Sequence, residues 1–390
     1  MRFAGSRVDS ARPDGPPTRA VLPGVIVLAL DGLALHIAAE TFTHAELATM
    51  RSTMPSTSAT AWLTSVTGLD ASDHGAVGMV YREPGTDRLV NVVTGEAAAA
   101  SHSSAWRDPA SPRQARPSSP DQAEPPVLAA PTIFGMARTL GAEALALGPE
   151  LAALRGSWIS ALLRGATLRS GGGEPPARAV AQIVERTVRD VGAVIAEPRA
   201  DPLLLWAYVN LDDHIHRNGY DAALSAALRS LDEAASRWAD RGWTVLAHAD
   251  HGQVPVAPDE RLAARWDALD HPRHCRAPSG GAGRVRWLHP LPGLEEWLAD
   301  ELRAALGEHA FVFSPGELDD RGLMRVTPIV RARIGEIVAV AASPRFPVPD
   351  PSFAYEHGSI TEDEMLVPFA AWGAPASAVP MPAPTSAAHL

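Results

Sequence analysis

Three times in this chain a short, continuously apolar run delivers an aspartate at its carboxyl end, and that repetition limits the available folds more than any other feature. Residues 25–30 read VIVLAL and stop at Asp31-Gly32. Residues 203–209 read LLLWAYV and lead into Asn210-Leu211-Asp212, and residues 244–247 read TVLA and lead into His248-Ala249-Asp250-His251-Gly252. Runs without polar alternation suit strands covered on both faces, as in a parallel sheet. Residues 179–196 and 221–239 carry apolar side chains at helical spacing and charges elsewhere. Alternating strands and helices over this length predict an α/β fold, a doubly wound, mostly parallel sheet with helices on both faces.

In open parallel sheets, sites gather beyond the carboxyl ends of the strands. Asp31, Asp212 and Asp250 are expected there. Asp250 is followed by His251, and Asp212 begins the pattern Asp212-x-x-x-His216-x-x-Gly219. Glu356-His357-Gly358 lies near the C-terminus after a proline-rich loop. One Asp-Gly or His-Gly is an ordinary turn, but three acids on one sheet edge repel unless a cation sits among them. Mixed Asp and His donors suit Zn²⁺ or a similar first-row metal, whereas an all-oxygen set would suit Mg²⁺ or Ca²⁺. Residues 59–67 read as a helix closed by Gly68. Ser56, Thr57 and Ser58 stand at its N-terminus, where free N–H groups and the helix dipole favour an anion. Plain capping explains such residues elsewhere; beside a metal cluster, a metal-activated hydroxyl nucleophile is the better reading.

Composition narrows the classes. The chain has 390 residues, 46% of them apolar, enough for a substantial core, and a formal net charge of −11 with a pI near 5.7. Without a Lys/Arg-rich run, that charge repels a nucleic-acid polymer. The one cysteine, Cys275, excludes an internal disulfide and a Cys-rich zinc site. No run approaches the roughly 20 apolar residues of a membrane span, and the first 20 residues lack the apolar core of a signal peptide. The expectation is a soluble, cytoplasmic protein without a membrane partner. Residues 1–22 read as a loose tail, 23–373 as the catalytic domain, 97–126 as a surface insertion or loop, and 374–390 as a low-complexity tail.

Six motifs follow one another in a familiar order. They are Asp31-Gly32, MPSTSATAWLTSVTG ending at Gly68, Asp73-His74-Gly75, the Asp212/His216/Gly219 pattern, Ala249-Asp250-His251-Gly252, and His357-Gly358 with TEDEMLVP close behind. This order resembles the type I phosphodiesterase/nucleotide pyrophosphatase family of the alkaline phosphatase superfamily, from about residue 25 to residue 372. The resemblance implies an alkaline phosphatase-like fold and two divalent metal ions, zinc as a rule with Mn²⁺ or Mg²⁺ as alternatives, and no organic cofactor. Carried over, Asp31, Ser58, Asp250 and His251 hold one ion, and Asp212, His216 and His357 hold the other. Ser58 falls in the nucleophile's place, ten residues before Gly68, with Thr57 as its competitor. The implied reaction cleaves a phosphodiester or phosphoanhydride in a small phosphorylated substrate such as a nucleotide, through a phospho-serine.

One departure bears on substrate. Family members often place an Asn three residues after the nucleophile to bind a phosphoryl oxygen, and Ala61 stands there. A phosphomonoesterase or metal-dependent phosphomutase on the same scaffold is the alternative, and a non-catalytic metal- or nucleotide-binding protein the alternative outside enzymes. A sulfatase is a weak rival, because no C/S-x-P-x-R motif occurs around Ser56–Ser58. His74 is read as a structural hydrogen-bonding residue, His214 and His248 as supporting or packing residues. Arg164, Arg331 and Arg333 are read as surface cations, and Cys275 as an incidental thiol.

Overall fold

The computed structural model describes residues 24–86, 88–98, 130–169 and 179–373. Both expected tails, and all of the 97–126 insertion except residues 97–98, lie outside the described residues. A seven-stranded sheet runs in the order Glu46–Arg51, Leu366–Trp372, Thr244–Ala249, Gly24–Leu30, Leu203–Val209, Glu143–Leu147, Thr167–Arg169. All neighbours are parallel except Leu366–Trp372, which is antiparallel to both of its own. The three apolar runs are its three central parallel strands, as expected.

Successive residues of a strand point to opposite faces, and both faces here are apolar and covered. Ile26, Leu28 and Leu30 pack with Ile37, Val184 and Leu228, from helices Leu35–Thr41, Val180–Ala196 and Ala222–Asp240. Val27 and Ala29 face the other way, towards Trp62, Phe134 and Trp158 from helices Ser58–Thr67, Ile133–Thr139 and Ser157–Leu162. Each fully buried Leu or Ile in these layers contributes about 1.5–3 kcal/mol. No helix among the described residues is long and apolar enough to cross a membrane.

A second sheet was not foreseen. It is antiparallel, in the order Ala310–Phe313, Ile337–Ala341, Val285–Pro290, Cys275–Ala282, Val80–Arg82, Leu89–Asn91. Val285, Trp287, Val338 and Val340 join the core around Trp62. Leu288, Ile337 and Ala339 face Trp266, Leu298 and Leu302 from helices Glu260–Leu269 and Glu295–Leu306.

A buried ion pair ties this sheet to the loop that follows the last small strand, Tyr355–Glu356. Arg284 Nε donates to Glu364 Oε1 at 3.1 Å, with the two side chains 2% and 0% exposed. Glu364 also accepts from Ser359 N and Thr361 Oγ1, while Arg284 N donates to the His357 carbonyl. Removing one partner of such a pair strands a buried charge. Arg284→Met should therefore lower stability in urea unfolding by about 3–5 kcal/mol, and a loss below about 1 kcal/mol would show the loop to be anchored otherwise.

Candidate active site

Leu30 pairs in register with Val209 on one side and Ala249 on the other. The residues that follow, Asp31, Asn210 and Asp250, therefore leave the sheet side by side. Two residues later Asp212 opens helix Asp212–Asn218, which carries His216 on the same face one turn on. Ser58 arrives from the covering layer as the first residue of helix Ser58–Thr67, which Gly68 closes at φ 69° in the left-handed region, as expected. His357 follows the strand Tyr355–Glu356, whose antiparallel partner Val254–Pro255 lies just beyond His251-Gly252.

Asp31, Asp250 and His251 present ligand atoms within 4.8 Å of one another. His251 Nε2 lies 3.2 Å from Asp250 Oδ2 and 3.9 Å from Asp31 Oδ1. Ser58 Oγ sits among them, donating to Asp31 Oδ1 at 3.2 Å and lying 3.1 Å from His251 Nε2. Beside this cluster, Asp212 stands 3.2 Å from His216 Nε2 and 3.9 Å from His357 Nε2. The His251 and His357 rings stack at 3.7 Å, so the two clusters share a border. All seven sequence-predicted site residues come together.

The imidazoles are oriented from behind. The Nδ1 atoms of His216, His251 and His357 lie 2.8, 3.2 and 2.8 Å from the carbonyls of Tyr355, Gly252 and Ser56. Donation there fixes the tautomer with Nε2 free to bind a metal, the arrangement of ligating histidines in general. Glu356 also comes within 4.8 Å of His216 and His357. Its contact with His216 is to Nδ1, at 3.4 Å, on the rear of the ring.

Charge at the site is unbalanced. Burial, then the Asp250 and Asp212 carboxylates, push Asp31 well above the usual carboxylate range. Burial likewise pushes Asp250 up to about 7 and Glu356 up to about 8. His251 is lowered to about 4 by burial, and His357 well below its ordinary value by burial and the neighbouring His251. Burial opposes the charged form of His216 too, but Asp212, with Glu356 behind, pushes it up to about 10. Against its own burial, Asp212 is held below the usual range by His216. Asp250 Oδ2, fully buried, has no hydrogen-bond partner. Clustered buried carboxylates, an orphaned carboxylate oxygen and the neutral imidazoles of His251 and His357, with His216 beside Asp212, form a donor set that fits divalent cations.

Two neighbours were missed. The Tyr208 hydroxyl donates to Asp31 Oδ2, leaving Oδ1 to Ser58. Only the strand register reveals it, since Tyr208 pairs with Ala29 and Asp31 lies two residues on, on the same face. Gln253 Nε2 donates to Asp212 Oδ1 at 2.6 Å. Gln253 N in turn donates to the Tyr220 hydroxyl, which donates to the Gly32 carbonyl. This loop-to-loop link had no sequence signal.

The remaining residues sort by their partners. Thr57 is fully buried, with its hydroxyl on Thr60 Oγ1. Ser56 Oγ bonds Ser359 O and Gly358 N. His74 bridges Thr64 Oγ1 and Ala76 N, a structural role as expected. His214 bonds Asp221, and His248 packs on Trp62 at 5.3 Å. Arg164 and Arg331 are exposed. Arg333 corrects its surface expectation: it is 1% exposed, stacked 4.7 Å over Tyr81 and bonded to the Gly75 carbonyl, so its charge serves packing. Cys275 is buried in the second sheet, and burial pushes its thiol up.

The fold has solved counterparts. Murine ectonucleotide pyrophosphatase/phosphodiesterase 5 is similar at TM-score 0.60 and 16% identity, over 90% of this chain and 88% of that one. A structure of an inactive form of that protein in complex with AMP gives the same values. Phosphonoacetate hydrolase from Sinorhizobium meliloti, in complex with phosphonoformate, is similar at TM-score 0.60 and 18% identity, over 90% of each chain. At these identities the likeness speaks for the fold alone. No curated protein sequence gives a significant match. The model of the family described as type I phosphodiesterase / nucleotide pyrophosphatase matches residues 25–346. That span holds every site residue except His357, which the fold brings in from beyond it. The chain is thus a phosphoric ester hydrolase and belongs to the type I phosphodiesterase/nucleotide pyrophosphatase family.

Proposed function

We propose that the protein hydrolyses a phosphodiester or phosphoanhydride at a centre of two divalent ions, through a phospho-serine on Ser58. Zinc is the first choice, with Mn²⁺ or Mg²⁺ as alternatives. The observation that carries this reading is the position of Ser58 Oγ, 3.2 Å from Asp31 Oδ1 and 3.1 Å from His251 Nε2, at the head of a ten-residue helix. Asp31, Ser58, Asp250 and His251 would hold one ion, and Asp212, His216 and His357 the other. When bound, the ions supply the positive charge that acidifies the serine hydroxyl and offsets charge on the phosphoryl and leaving oxygens.

Ser58 Oγ gives up its proton to solvent and forms the new bond to phosphorus as the bond to the leaving oxygen breaks, and that oxygen takes a proton from solvent. Water then cleaves the phospho-serine and the proton returns to Ser58 Oγ. The helix N-terminus favours the negative charge that develops beside Ser58. Tyr208, holding Asp31 Oδ2, turns Oδ1 towards the serine. Ala61 is buried and offers no polar side-chain atom to a phosphoryl oxygen, which favours a monoesterase as the second reading. Zn²⁺-reconstituted protein should turn over bis(p-nitrophenyl) phosphate faster than p-nitrophenyl phosphate. The reverse order would establish the monoesterase, and no turnover of either would sink both readings.

A further inference from the structure

A cavity of about 370 Å³ opens beside Asp31, Ser58 and Asp212. Its walls are apolar and aromatic, with Trp62, Trp158, Trp206, Leu154, Met79 and Val93 among them. Trp62 and Trp206 are 1% and 0% exposed and meet edge to face at 5.7 Å. Their indole N–H groups have no hydrogen-bond partner, whereas the Trp158 N–H donates to the Ala59 carbonyl. Beyond the reacting centre and Tyr208, whose hydroxyl is given to Asp31, the polar lining is Asn210 and two carboxylates, Glu150 and Asp213. No Lys, Arg or His lines the cavity among the described residues.

We propose that this cavity takes an uncharged aryl group esterified to the scissile phosphoryl, and that the enzyme prefers such esters to nucleotides. The inference rests on the phosphoryl chemistry proposed above and adds the substrate class. A phosphoryl group over Ser58 Oγ directs its organic substituent into the adjoining space, where apolar walls favour burial of apolar surface. An aryl ring offers a flat apolar surface to Met79, Val93 and Leu154, the partly exposed apolar residues of the wall. A nucleotide asks for more. Its ribose hydroxyls and base edges need several polar partners, which one amide does not supply, and buried polar groups without partners are penalised. Any further phosphate would meet the carboxylates of Glu150 and Asp213, whose cationic neighbours, Arg186 and Arg217, stand outside the cavity lining.

The test uses the Zn²⁺-loaded protein and three ligands: methylphosphonate and phenylphosphonate, which differ in the organic group alone, and adenosine 5′-monophosphate, a phosphate ester that carries a ribose and a base. In calorimetric titration, phenylphosphonate should bind at least tenfold more tightly than either of the others. Equal affinities, tighter binding of the nucleotide, or no binding of any ligand would overturn the inference. Metal-dependent cleavage of methyl p-nitrophenyl phosphate, measured in parallel, reports on the hydrolase reading separately: absence of turnover would sink that reading, whereas turnover beside equal ligand affinities would sink the aryl inference alone. Leu154→Arg, at a half-buried wall position, should shrink the phenyl-over-methyl preference to below threefold. Val93→Arg repeats the measurement should the first variant fail to fold. An unchanged preference in a folded variant would place the aryl group elsewhere.

Discussion

Ser58→Ala should lower diester turnover by roughly four orders of magnitude or more, as loss of a nucleophile does when the groups around it act as a unit. The hydroxyl contacts Asp31 and His251 directly, so under the proposed mechanism the substitution would remove both the attacking atom and a metal donor. The variant's metal content should be measured alongside its rate. Thr57→Ala should stay within about tenfold of the parent. The Thr57 hydroxyl faces Thr60, and its side chain makes no capping hydrogen bond. Acid quench of a reacting sample, followed by mass spectrometry, should find the phosphoryl group on the peptide containing Ser58. A dead Thr57→Ala beside a nearly normal Ser58→Ala would move the nucleophile by one residue. It would leave the Asp and His assignments standing, because those rest on six other side chains.

Much of this site was readable because the relevant signals were local. An unbroken apolar run announces a doubly covered strand, and the residue after it must leave at the sheet edge. For that reason Asp31 and Asp250 could be placed before any strand order was known. Gly68 marked the end of the helix that presents Ser58, and the helix begins one residue earlier than the spacing suggested, on Ser58 itself. What stayed hidden depended on long-range register. The strand Cys275–Ala282 reads CRAPSGGA, poor in β-branched residues and interrupted by two register shifts, so nothing in it announced a second sheet. Tyr208 looked like one more apolar residue until the pairing of Leu203–Val209 with Gly24–Leu30 set it beside Asp31. Gln253 and Glu364 act on loops distant in sequence, and Arg333 shows how a cation can be buried when an aromatic face and a carbonyl receive it.

Removing divalent ions with a chelator should abolish turnover, and readdition of Zn²⁺ should restore about two ions per chain. It should also lower the melting temperature, because an ion held at 1,000 times its dissociation constant stabilises the fold by about 4 kcal/mol. Asp250→Asn makes the sharper test, because its effect should change sign with metal. Burial raises the Asp250 carboxyl from 3.8 to about 7 in the metal-free protein. The unfolded chain then releases this proton before the folded one does. The stability that Asp250 contributes is whole below pH 3.8 and is lost as pH rises to about 7. Without metal, Asp250→Asn should therefore raise the melting temperature at pH 8, by less as the pH falls from about 7, and change it little below pH 3.8. The amide oxygen keeps the bond that Gly32 N now donates to Asp250 Oδ1, and the charge that repels Asp212 and raises Asp31 is gone. With metal present the same variant should be the less stable one, bind fewer ions and lose activity, since a neutral amide is a weak donor to a divalent ion. A variant that is destabilised equally with and without metal would show that Asp250 serves packing, and the cluster with Asp31 and His251 would lose its role as a cation site.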